Sequence, residues 1–246
     1  MKKFILRLGK AYRRHGLKEF IRLSGHNVRY YTGGLFRGAR DGVAEDDFDR
    51  VYGTETSEIR EIGSLDIQSE NSRTAVRYQP SSERSIRDLI EFAKVGLDLS
   101  DFAFVDFGSG KGRVLIVAAQ YPFAEVIGVE FSPELNEIAA ANISQLPHEI
   151  ANHNRIRLVC TDAVKFDPPQ SNLVCYFYNP FGKPVMAQVA KRLAAHGKDL
   201  GYRVIAIYVD PEHLDTFLLT GAFTMMATTD YAAILTTNNA RAEARA

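Results

Sequence analysis

The residues best suited to chemistry begin at Val105-Asp106-Phe107-Gly108-Ser109-Gly110-Lys111-Gly112, where an apolar run breaks into a glycine loop. Glycines there let the backbone turn sharply and approach a ligand closely. A dinucleotide loop reads G-x-G-x-x-G and sets a pyrophosphate on a helix N-terminus. Here the third glycine, Gly112, comes one residue early, and Asp106 stands two residues before the first. A carboxylate in that place repels a pyrophosphate. It suits the ammonium of an amino-acid group, held directly or through water. No G-K-[ST] follows, so Lys111 does not make a triphosphate loop.

Three further segments carry matching chemistry. Glu130 ends the run Val126-Ile127-Gly128-Val129-Glu130, eighteen residues after Gly112. An acid at the tip of a second strand can accept hydrogen bonds from both hydroxyls of a ribose. Asp162, in Cys160-Thr161-Asp162-Ala163, can accept from the amino group of adenine, and the Ala163 N–H can meet a ring nitrogen. Asn179, in Tyr178-Asn179-Pro180-Phe181-Gly182, offers a carbonyl that can orient an amine. Aromatic rings beside it can flank a cationic or planar group. Each segment has a plainer alternative: a tight turn, a solvated strand-end acid, a loop-capping aspartate, a turn with a packed phenylalanine.

The elements needed to position these residues are legible. Strands are expected over 102–107, 124–130, 156–160, 173–178 and 203–209, and helices over 113–120, 133–142, 184–195 and 212–219. Ser132 and Pro133 mark a capped helix start. Ser81-Ser82-Glu83 caps an earlier helix carrying Ile86, Leu89, Ile90 and Ala93, ending near Gly96. Two closing strands, 223–227 and 231–236, predict an antiparallel edge. Alternation of strand and helix predicts an α/β fold: a Rossmann-like, doubly wound, mainly parallel seven-stranded sheet. Ligands of such sheets bind at the carboxyl ends of the strands, near the reversal of strand order.

Bulk properties narrow the classes further. Two cysteines, Cys160 and Cys175, both in apolar runs, argue against a disulfide framework and for a reducing, cytoplasmic setting. No apolar run is long enough to span a bilayer. None of the six histidines forms a metal-like pair, His148 and His153 included, so no metal site is expected. The net charge is zero, but residues 1–40 carry eleven Lys and Arg against one acid, Glu19. A basic arm therefore precedes an acidic body. Its first 24 residues read as an amphipathic helix that packs on the domain, or that meets nucleic acid or a membrane surface through basic residues 2–40. Residues 26–80 read as a connector, either a lid over the site or a loop wrapped on the core. The organisation expected is a basic helix and connector over 1–80, a binding domain over 81–238 and a frayed tail over 239–246.

Taken together, the segments resemble the class I S-adenosylmethionine-dependent methyltransferases over about residues 81–236. Val105 to Gly112 is similar to their first motif, Gly128-Val129-Glu130 to their acidic second-strand motif, and Asn179-Pro180-Phe181 to their fourth-strand motif. The resemblance implies S-adenosyl-L-methionine as cofactor. It implies Asp106, Gly108, Ser109, Gly110 and Gly112 at its methionine end, Glu130 on ribose, and Asp162 and Ala163 on adenine. Tyr78 is implied as part of a cofactor lid, and Asn179, Pro180 and Phe181 as the catalytic group. Phe48-Asp49-Arg50-Val51-Tyr52-Gly53-Thr54, Arg77-Tyr78-Gln79-Pro80 and Gly110-Lys111-Gly112-Arg113 resemble bacterial methyltransferase-domain proteins of unassigned substrate. A looser likeness is to lysine methyltransferases outside the SET class. The single proline and adjacent Phe181 depart from the Pro-Pro-aromatic motif of nucleobase and glutamine methylases. The expected reaction is methyl transfer to an amine or related nucleophile, on a protein (a lysine among the choices) or a small molecule. An aminopropyl transferase, a nucleic-acid methylase and a non-catalytic cofactor-binding module remain open on the same fold.

Overall fold

Strands covered on both faces need apolar side chains at every position, and Phe102–Phe107 (β1) and Val204–Val209 (β5) are buried throughout. The computed structural model describes residues 47–58, 80–147, 150 and 155–237. All of them fall within one unit of the chain, Glu45–Ala246. The remaining strands are Glu125–Glu130 (β2), Ile156–Cys160 (β3), Asn172–Tyr178 (β4), Phe223–Thr228 (β6) and Ala232–Thr237 (β7). They form one seven-stranded sheet in the order β3-β2-β1-β4-β5-β7-β6. Pairings from β3 through β5 are parallel. β7 runs antiparallel to both β5 and β6, so the closing pair makes the antiparallel edge. The order reverses between β1 and β4, and there the loops after both strands open a crevice.

Helices cover the two faces. Phe48–Tyr52 (α1), Glu83–Ala93 (α2), Arg113–Ala118 (α3) and Pro133–Ser144 (α4) are followed by Lys183–Asp199 (α5) and Asp215–Leu218 (α6). Ser82 caps α2 by accepting from the Ser85 N–H, and Ser132 caps α4 by accepting from the Leu135 N–H. One core joins Phe48, α2 and α3 to Phe104, Val126, Tyr176 and Ile207. The other joins α5 and α6 to Val105, Ile127, Cys175 and Tyr208. Alternate residues of one strand thus enter opposite cores, as the strand pleat requires.

Two expectations change. Residues 47–58 pack with the domain, as the buried Phe48 and Thr56 show, so residue 80 is not a packing boundary. The expected basic helix, Tyr78, His148, His153 and the tail lie outside the described residues. Helix α5 runs past the expected stop at 195 and through Gly197. A Cβ on Gly197 would lie 2.7 Å from Thr237 Cγ2 on β7. This glycine is a space-saver where helix meets sheet, not a terminator. Gly197→Ala is therefore expected to destabilise the fold by about 1–3 kcal/mol through overpacking. A gain of about 1 kcal/mol from helix propensity in chemical denaturation would show that the contact yields freely.

Candidate active site

The loop after β1 is held closely on several sides. Gly108 has φ 81°, a left-handed conformation, and a Cβ there would stand 2.7 Å from Pro180 Cβ. The glycine is needed because the loop after β4 presses on it. The Gly108 and Ser109 N–H groups donate to the Val129 carbonyl at 2.8 and 3.2 Å, tying the turn to β2. Ser109 is buried with its hydroxyl unpartnered among the described residues. That oxygen lies 2.8 Å from where a Gly128 Cβ would be, so it lies close over the β2 backbone.

Glu130 ends β2 and is 3% exposed. Its Oε2 accepts the Gly110 N–H at 2.9 Å, and its Oε1 accepts the Ser132 N–H at 2.9 Å. A carboxylate has about four acceptor positions, so acceptor capacity remains for a ligand hydroxyl. Burial raises its pKa, and the backbone N–H groups of Ser132 and Gly110 pull the other way. Asp106, also 3% exposed, has no such donors. Burial, followed by the charge of Glu130, pushes its pKa well above the usual carboxylate range. Of these two acids, Glu130 has backbone N–H groups to stabilise its anion, and Asp106 has burial and a like charge working against its own.

Past β3, the Thr161 N–H donates to the Glu130 carbonyl at 2.9 Å, which sets the two loop starts side by side. Asp162 is half-buried and accepts the Val164 N–H at 3.0 Å, while Ala163 is buried. Past β4, Asn179 has φ 39°, a strained conformation for a residue with a Cβ. Its Nδ2 donates to Glu212 Oε2 at 3.4 Å, and its Oδ1 accepts from the Tyr208 hydroxyl at 3.4 Å. Pro180 lies against Gly108. Phe181 is 7% exposed and lies in the core with Ala163, Phe166 and Val185, so its ring is part of the packing. Among the described residues, no group of three His, Cys, Asp or Glu could hold a metal ion.

A buried acid without N–H donors among the described residues, a backbone-anchored acid with spare acceptor capacity, and a close-packed glycine turn fit the ammonium, ribose and chain of S-adenosyl-L-methionine. Residues 104–201 match the family model described as a methyltransferase domain. The sheet and crevice around that stretch are those of a Rossmann-like methyltransferase fold. No curated protein matches the sequence. Among solved structures, it is similar to magnesium protoporphyrin IX methyltransferase from Synechocystis PCC 6803, at 17% identity over 63% of this chain and 77% of that one, with a TM-score of 0.46. An RNA methyltransferase from Salinibacter ruber is similar at 18% identity over 65% and 93%, with a TM-score of 0.45. A glycopeptide N-methyltransferase is similar at 12% identity over 62% and 89%, with a TM-score of 0.49.

The structure of the methyltransferase domain thus gathers Asp106, Gly108, Gly110, Glu130 and Asn179 along one end of the sheet. It adds Tyr208 and Glu212, which sequence reading passed over. A tyrosine inside an apolar strand and a glutamate starting a surface turn carry no signal until β4 and β5 are known to be neighbours.

The raised pKa of Asp106 has a consequence for cofactor binding. A carboxyl raised above its unfolded value stabilises the fold below the unfolded pKa, and that contribution is lost as pH rises through the folded pKa. Cofactor-free protein should lose stability in that window, while affinity for S-adenosylmethionine should rise as the carboxylate forms to meet the ammonium. Asp106→Asn should bind the cofactor roughly tenfold or more weakly, since each decade is about 1.4 kcal/mol. It should also lose this pH dependence. Calorimetric titrations across pH test both points, and superimposable wild-type and variant profiles would remove Asp106 from the cofactor site.

Proposed function

We propose that the domain methylates an amine nitrogen, with Asn179 as the residue that holds it. The observation that carries this reading is the fixed orientation of the Asn179 amide at the end of β4. Its nitrogen is turned to Glu212 Oε2 and its oxygen to the Tyr208 hydroxyl. A carbonyl oxygen has two lone pairs. One is directed at the tyrosine hydroxyl, and the other is available to accept an N–H from a substrate amine. An accepted N–H aims the nitrogen lone pair away from the amide, along the line of an in-line displacement.

S-adenosylmethionine supplies a methyl group on a positively charged sulfur. The amine lone pair forms the new N–C bond as the C–S bond breaks, and the bonding electrons end on sulfur as a neutral thioether. The nitrogen then sheds a proton to solvent, which the exposed Glu212 carboxylate meets at the rim of the crevice. Such a reaction depends on close, aligned approach more than on strong acid–base chemistry. Glu212 also favours cationic substrates entering the site, which supports an amine over a hydroxyl acceptor. An entering ammonium first gives one proton to water, and the neutral amine so formed is the species whose lone pair attacks. A protein lysine fits this chemistry, as does a small polyamine.

Asn179→Ala should reduce turnover by about 10²-fold, the scale of a lost positioning contact, while leaving cofactor affinity within a few-fold of wild type. Transfer of labelled methyl to lysine peptides, polyamines, RNA and fractionated cell extract reads the turnover. Loss of cofactor binding with preserved turnover would place Asn179 in the cofactor pocket. Label confined to hydroxyl or nucleobase acceptors would replace the amine reading.

A further inference from the structure

The glycine loop is also gripped by a second segment. Residues 47–58 form a strap whose fold is set by Asp49. Its carboxylate accepts from the Thr54 hydroxyl at 2.8 Å, the Thr56 hydroxyl at 2.7 Å, and the Thr56 and Ser57 N–H groups at 2.8 Å. Partial burial works to raise its pKa, but the hydrogen bonds from Ser57, Thr56 and Thr54 together outweigh it and hold the carboxyl down to about 2. Arg113, the first residue of α3, is 3% exposed. It lies over the Phe48 ring at 4.5 Å and donates to the Thr56 hydroxyl at 2.7 Å and the Ser57 hydroxyl at 2.8 Å.

Two contacts then reach the loop itself. Asn142, on α4 and 3% exposed, accepts the Glu55 N–H at 2.9 Å and donates to the Lys111 carbonyl at 3.0 Å and the Glu55 carbonyl at 3.3 Å. The Lys111 side chain is fully buried, and its ammonium meets Glu55 at 3.0 Å and Glu58 at 3.5 Å. Glu130 holds the Gly110 N–H and Asn142 holds the Lys111 carbonyl. Adjacent residues of a glycine-rich loop are therefore fixed by different elements. The loop has little side-chain packing of its own, and a glycine-rich backbone left to itself samples many conformations.

We propose that the strap is a working part of the cofactor site: Asn142 and Lys111 are positioning residues that set the glycine loop, and residues 49–58 tune cofactor affinity through them. This rests on the reading of the loop as the cofactor loop. The test uses the full chain and the double variant Glu55→Gln/Glu58→Gln, whose carboxylates are 63% and 54% exposed in the wild type, so the core is left intact. The double variant should show faster amide hydrogen exchange at residues 108–112 in the cofactor-free protein. It should bind S-adenosylmethionine roughly tenfold more weakly, and its melting temperature should fall because the buried Lys111 ammonium loses these two charge partners. Lys111→Met should weaken binding similarly. Added to the double variant it removes the buried charge and should recover melting temperature without recovering affinity, since the loop is still unheld. Unchanged exchange and affinity in the double variant would overturn the proposal. So would an affinity that returns with melting temperature in the triple variant. If the wild type does not bind the cofactor, the cofactor reading fails, and exchange at residues 108–112 still decides whether the strap positions the loop.

Discussion

The contact between Gly108 and Pro180 constrains the rest of the site. β1 and β4 are neighbours in register, with Asp106 beside Tyr176, so the loops leaving them emerge side by side. They can close on each other only where one side chain is missing, because a Cβ on Gly108 would overlap Pro180. That closure sets how far the methionine end of the crevice lies from Asn179. Rates of displacement reactions fall steeply with misplacement of about 1 Å. The distance is therefore set by backbone packing at the sheet's switch point, which does not depend on flexible side chains. The closing strand pair and the two helical layers make that packing rigid.

Electrostatics add a second constraint that works against the first. Asp106 and Glu130 put two acids into a buried space, and a buried charge is costly unless it is hydrogen-bonded or paired. Glu130 meets the requirement with the Gly110 and Ser132 N–H groups and so serves as a structural anchor as well as an acceptor. Asp106 does not, and its raised pKa reflects that deficit. A cation brought beside Asp106 would offset that cost. Sites that bind cations commonly hold such a deficit, and the surrounding sheet must be stable enough to tolerate it.

Much of this was legible before the structure. Periodicity placed the strands to within a residue or two because their burial is one-sided or complete. The glycine loop and Glu130 were legible because their roles depend on backbone position and spacing along the chain. Three features were not. Phe181 looked like a substrate-flanking ring, yet it packs under α5, since an aromatic residue in a turn reads the same whether it points in or out. The helix expected over 184–195 runs on through Gly197, a glycine that only the nearness of Thr237 explains. The strap looked like an irregular connector because Asp49 organises it through hydrogen bonds with no periodicity. Its partners, Lys111, Arg113 and Asn142, stand more than fifty residues away in the chain.

These differences follow a rule that also separates the two halves of the site. The cofactor half is made of backbone turns at strand ends, and a turn leaves its mark in the local sequence as glycine, proline and a flanking acid. The acceptor half, as proposed, is made of side chains from different segments: Asn179 after β4, Tyr208 on β5 and Glu212 beyond it. Their adjacency comes from the order of strands in the sheet, which no local motif records. The same fold can therefore keep one cofactor while its acceptor changes, because replacing side chains after β4 and β5 leaves the Gly108–Pro180 closure untouched. In the amine reading proposed for this domain, the acceptor half pairs an amide with an exposed carboxylate, and both can change without moving the glycine turn.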